Sequence, residues 1–159
     1  MIDTLPFFEW LDTSWLATVS KSYGGVFAVV QMFHLLGMAM LGGMVLLGDL
    51  RLLNVLMRDT PSEVVIDNTH RWFGYGLAMA LVSGVFMASA VAMKLYYNES
   101  FWAKMACLAA GVVFVYAIRR PLLRHDHSSI NPWALRSLAV TSMILWFTVA
   151  ASGRWIGFS

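Results

Sequence analysis

Four apolar stretches closed by charges set the frame of this chain. Lys21 and Asp49 bracket 27 residues with no acidic or basic side chain except His34, and Arg71 and Lys94 bracket 22 more. A third stretch lies between Lys104 and Arg119 and a fourth between Arg136 and Arg154, with 14 and 17 residues between their bounding charges. A membrane-spanning helix needs roughly 20 mostly apolar residues. The last two stretches therefore reach that length only if Lys104 and Arg154 snorkel or are buried within the membrane boundary. The pattern predicts four spans, near 24–48, 72–94, 100–118 and 136–156.

Local signals punctuate these spans. Thr60-Pro61-Ser62-Glu63 reads as an N-cap, a proline at the first helical position and a capping-box glutamate, so the second helix is expected to begin near residue 61, ahead of the bilayer. Asn131-Pro132 repeats that logic before the fourth. Tyr97-Asn98-Glu99-Ser100 is short and predicts a tight antiparallel hairpin between helices two and three. Ahead of the first span, Phe7, Phe8, Trp10, Leu11, Trp15, Leu16 and Val19 recur at helical spacing. Together they predict a short interfacial helix over about 4–20 with aromatic anchors. Asp3, Glu9 and Asp12 stand where a cleavable signal would carry basic residues.

Composition agrees with this frame. The chain has 159 residues, of which 59% are apolar and 13% charged, whereas a soluble domain carries about a quarter charged residues and under half apolar. A soluble enzyme, a disordered chain and a nucleic-acid binder are excluded on that ground, and a net charge of +2 marks no polyanionic partner. The expectation is one all-α membrane domain over 1–159, a four-helix bundle with a short N-terminal interfacial helix. The lone cysteine, Cys107, sits in an apolar run where a thiol packs. Loops 50–71 and 119–136 hold seven of the eleven Lys and Arg residues. By the positive-inside rule both loops are expected to be cytoplasmic and both termini to lie on the outer side.

Function must come from the few polar residues inside this frame. His34 is the one histidine well within a span, and Gly37, Met38 and Leu41 share its helix face. An imidazole in a membrane is costly and marks cofactor or proton chemistry, or else a neutral ring bonded to a hydroxyl such as Ser83 or Ser89. Lys104 and Arg154 are expected at the outer end, with His34 roughly 10–15 Å deeper by helical rise. Two cations there suit haem propionates, and a histidine with a lysine suits quinone carbonyls; snorkelling to phospholipid headgroups explains the cations equally well. His34 is thus a candidate axial ligand of haem iron, with Lys104 and Arg154 as candidate cofactor-binding residues. No second histidine shares its depth; Met79, Met87, Met93, Met105 and Met143 stand open as partners.

Other features read as structural. His70, His125, Asp126 and His127 hold metal-ligating groups on the cytoplasmic side, but match no zinc spacing and read better as a solvated loop. Asp49, paired with Arg51 or with a loop arginine, closes the first helix. Gly74-Tyr75-Gly76 and Ser83-Gly84 predict close helix packing.

His34-Leu35-Leu36-Gly37, Gly48-Asp49-Leu50-Arg51-Leu52-Leu53, Ser83-Gly84, Asn98 through Phe101 to Lys104, and Leu145-Trp146 through Gly153-Arg154 follow one another along nearly the whole chain. In these the chain resembles an uncharacterised family of bacterial four-helix inner-membrane proteins, which implies the architecture and no activity. A fainter likeness, on His34, Gly84 and Phe101-Trp102-Ala103-Lys104, is similar to HemJ-type protoporphyrinogen oxidases and the CopD-type copper-resistance membrane domain. That likeness implies haem or redox chemistry near His34 and Lys104. Three functions follow as expectations. One is a small redox protein that binds haem b or engages quinone and passes electrons between the quinone pool and an outer-side partner, with a porphyrin-oxidising enzyme as a variant. The others are copper handling by methionines with His34, and a non-catalytic anchor or accessory subunit of a larger complex. Oligomeric state stays open.

Overall fold

A computed structural model describes residues 4–123 and 130–156. The described chain is helical. Helices α1 (Leu5–Asp12) and α2 (Trp15–Ser22) lead into α3 (Gly24–Leu52), α4 (Ser62–Ala90) and the short α5 (Ala92–Tyr96). Helix α6 (Glu99–Val113) continues through a π-helical segment, Phe114–Arg119, into α7 (Arg120–Leu123), and α8 (Pro132–Trp155) completes the chain. Four of these units, Gly24–Leu52, Ser62–Ala90, Glu99–Leu123 and Pro132–Trp155, are long and apolar enough to cross a membrane. Each contains the corresponding predicted span or overlaps most of it, so the all-α four-helix reading stands.

The caps show why the helices begin where they do. Asn131 accepts a hydrogen bond from the Trp133 N–H, with Pro132 at the first helical position where its missing N–H costs nothing. Asn98 accepts from the Phe101 N–H, which makes the α5–α6 connection as tight as its length suggested. Before α4 the capping box is not formed: Pro61 itself is the N-cap, without a side-chain cap, and Ser62 opens the helix. Arg51 instead braces that loop, donating through Nε and Nη2 to the Thr60 carbonyl at 3.1 and 2.8 Å.

The N-terminal segment is two helices, not one. Ser14 breaks the run and caps α2 by accepting from the Ala17 N–H. Lys21 reaches back to Asp12 at 2.8 Å across that break. Phe8 and Leu11 are buried against Ala92 and Leu95 of α5, and the Phe8 ring meets those of Tyr96, Phe101 and Trp102. Trp10 and Trp15 stay exposed.

Helices α3 and α6 run one way and α4 and α8 the other, so α3 and α6 are parallel. The α3–α4 seam is made of glycines that let backbones touch. A Cβ on Gly76 would lie 2.9 Å from the Leu41 amide nitrogen, and one on Gly37 would lie 3.0 Å from that of Ala80. On α6, Gly111 gives the Trp146 indole its place. Leu41, Val45, Phe73, Leu77 and Trp146 belong to the central core, with the Phe73 and Trp146 rings edge to face at 5.2 Å.

Candidate functional site

His34 sits on the α3 face that meets α4, and its ring is half-buried. Its Nδ1 lies 3.0 Å from the Ser83 hydroxyl. Ser83 donates its own proton one turn back to the Met79 carbonyl, so its oxygen is left to accept. That network assigns the proton to Nδ1 and the lone pair to Nε2. The carbonyl of Ala80 adjoins the same ring. Gly84 makes the space: a Cβ there would stand 3.3 Å from the imidazole Cε1. Ser83 and Gly84 thus divide two tasks, one fixing the tautomer and the other clearing the ring edge. Gly84 serves the imidazole and not a backbone contact, and Gly74 meets only the Tyr116 hydroxyl, at 3.8 Å from an added Cβ. Gly76 alone of these glycines makes the close helix approach expected of them.

Lys104 comes toward this ring from α6, close enough to act on it electrostatically. Its side chain lies along Gly153 of α8, where an added Cβ would be 3.4 Å from both Cε and Nζ. The predicted residues His34 and Lys104 thus lie within electrostatic reach of each other. Arg154 is the next residue after Gly153, in the last turn of α8, and is exposed. Among the described residues no group of three or more His, Cys, Asp and Glu side chains is arranged to hold a metal ion. His70 packs its ring on Phe73 and Tyr116; His125, Asp126 and His127 lie outside the described residues.

A second polar level lies lower on the same two helices. Asp49 follows His34 by fifteen residues on α3, and Arg119 follows Lys104 by fifteen on α6 and its π continuation, about 22 Å by helical rise. Arg119 Nη2 stands 2.7 Å from Asp49 Oδ1, with the aspartate fully buried and the arginine side chain 11% exposed. Of the two partners foreseen for Asp49, the more distant arginine is the one used, and Arg119 belongs to the helix instead of the loop. Ser142 of α8, also fully buried, adjoins the carboxylate. An added Cβ on Gly48 would lie 2.7 Å from Arg119 Nη2 and 3.2 Å from the Thr69 hydroxyl. Between the two levels stand Leu41, Leu77 and the Phe73–Trp146 pair, an apolar plug.

The π segment explains how Arg119 reaches the core. Gly111, Val115, Arg119 and Leu123 are all buried at a spacing of four. In a regular α-helix each such step drifts about 40° around the axis. The wider turn absorbs that drift, and π turns are often found at functional positions.

Fold and polar levels together define a multi-pass helical membrane protein that keeps ionisable groups in its interior. Residues 7–159 match a family of unknown function, DUF6644, and the chain belongs to it. Neither a curated protein nor a solved structure matches the chain.

Proposed function

We propose that this protein is a small membrane redox protein whose cofactor, a haem b, is ligated through His34 Nε2. The observation that carries the reading is the Ser83 hydroxyl at 3.0 Å from Nδ1. A metal-binding histidine characteristically donates its other ring nitrogen to a fixed acceptor, which sets the tautomer and orients the ring. The reading is supported by three features: Nε2 offers a lone pair, Gly84 lets the ring seat against α4, and Lys104 offers a cation for propionates. When bound, the haem supplies one-electron transfer at its iron. Ser83 holds the ring, Gly153 leaves room for Lys104, and Arg154 adds positive charge near that end. The excess of Arg in loops 50–71 and 119–136 supports termini on the outer side of a bacterial inner membrane. Electrons then pass between the quinone pool and an outer-side partner protein.

Quinone engagement by the same residues is the second reading. It is favoured by the half-exposure of His34 beside Phe33 and Leu35, both exposed on the apolar outer surface of α3. A headgroup arriving through lipid would meet an imidazole and an ammonium, each able to bond a carbonyl oxygen.

The test is an absorption spectrum of detergent-purified protein, expressed with adequate haem supply, before and after dithionite reduction. A Soret band with sharpened α and β bands on reduction, lost in His34→Ala at unchanged yield, is the expected result. An unchanged band in that variant refutes the assignment of His34. A featureless wild-type spectrum refutes the haem reading. Extracted quinone then supports the second reading, bound copper supports copper handling, and a stoichiometric partner without either supports an accessory subunit.

A further inference from the structure

The end of the bundle away from His34 contains a cavity of about 770 Å³, walled on one side by α4 and on the other by the π segment and α7. That volume lies in the range of small-ligand sites. Its buried wall is apolar, with Val45, Phe73, Val115 and Leu123, while Arg71 and Arg120 line it from exposed positions. Arg119 also faces the cavity, at 9% exposure. Asp49 takes its Nη2 end-on, and its buried Nε–H has no hydrogen-bond acceptor among the described residues. An orphaned buried guanidinium donor calls for a partner. Glu63 and Asp67 line the cavity as well, both from α4. The wall opposite them carries Arg119 and Arg120 side by side and, among the described residues, no acid.

We infer that this cavity binds a phosphate-bearing anion, its charge met by Arg120, Arg71 and the Nε–H of Arg119, and any apolar portion lying along Phe73 and Val115. Guanidinium groups match phosphate oxygens in geometry and charge. Basic pockets between membrane helices on the arginine-rich side take anionic lipid headgroups, and a free phosphate offers the same chemistry. The site is about 22 Å from His34 by helical rise and stands whether or not His34 holds a cofactor.

The experiment uses the full chain in detergent, with thermal unfolding and native mass spectrometry as readouts. The probes are phosphatidylglycerol, phosphatidylethanolamine and inorganic phosphate. Arg71→Gln/Arg120→Gln is the variant, since both residues are exposed and neither belongs to the buried ion pair. The expected result is selective retention of phosphatidylglycerol over phosphatidylethanolamine, with affinity falling about tenfold or more in the variant at unchanged basal Tm. Protection by inorganic phosphate as strong as by phosphatidylglycerol upholds the site and identifies a free phosphate as its source. Equal retention of the two lipids with no effect of phosphate overturns the proposal, as does undiminished binding in the variant. Arg119→Lys supplies an independent check: it keeps the charge toward Asp49 but removes the Nε–H, and must also weaken binding.

Discussion

Removing Arg119 from beneath the bundle core breaks a buried ion pair and should destabilise the fold strongly. Asp49 is fully buried and Arg119 Nη2 lies 2.7 Å from it, so Arg119→Met leaves a carboxylate without its counter-ion in an apolar interior. Breaking a buried pair on one side typically costs about 3–5 kcal/mol. At about 1.4 kcal/mol per decade that is a loss of more than a hundredfold in the folding equilibrium. Asp49→Leu strands the guanidinium instead and carries a similar cost. Replacing both, as Asp49→Leu/Arg119→Met, removes the desolvation penalty along with the attraction, and should recover most of the loss. The assay is reversible unfolding in mixed micelles of dodecyl maltoside and SDS, followed by helicity, for the four members of the double-mutant cycle. A coupling energy of at least about 2 kcal/mol is expected. Single variants that each cost under about 1 kcal/mol, or a double whose loss equals the two added together, would refute the reasoning.

Three further outcomes are expected. Gly76→Ala pushes a Cβ to 2.9 Å from the α3 backbone and should cost about 1–3 kcal/mol by overpacking; Gly42→Ala meets nothing within 4 Å and should gain up to about 1 kcal/mol in helix propensity; the two Tm values in one detergent compare them. Phe8→Ala opens the aromatic cluster at the N-terminal helices and should cost about 3 kcal/mol, whereas Trp15→Ala, at 75% exposure, should stay within about 0.5 kcal/mol, both read by chemical unfolding. Ser83→Ala removes the acceptor for His34 Nδ1 and should weaken cofactor retention by about 10–100-fold at nearly unchanged stability, read as cofactor content after dialysis; full retention would show that the hydroxyl does not orient the ring.

Particular residues show how far the chain could be read before its structure. The four spans were legible because charges bound each apolar run, and lipid admits backbone only when its hydrogen bonds are closed within the helix. Asn131 announced its helix start through the residue type that a cap requires, whereas Asn98 had been legible only as part of a short connection and proves to cap α6. Thr60 did not cap; its carbonyl instead accepts from Arg51 of the preceding helix, a contact nine residues away that no local motif displays. Ser83 was foreseen among the hydroxyls able to bond His34, and Gly76 among the packing glycines. The pairing of Asp49 with Arg119 remained one option among several, since it joins parallel helices seventy residues apart in sequence. A signal for it did exist: Gly111, Val115, Arg119 and Leu123 share a strict spacing of four, which a regular α-helix cannot keep on one face. The cavity of the arginine-rich end had no such signature, because its walls come from three separate segments.

Cofactor content per chain decides whether His34 holds the proposed redox cofactor. Haem and quinone would be extracted and quantified from wild-type protein and from His34→Ala, purified side by side from haem-replete cells and matched for helicity. Close to one haem per wild-type chain and almost none in the variant is the expected result. Equal content in both proteins, or neither cofactor in the wild type, would contradict it.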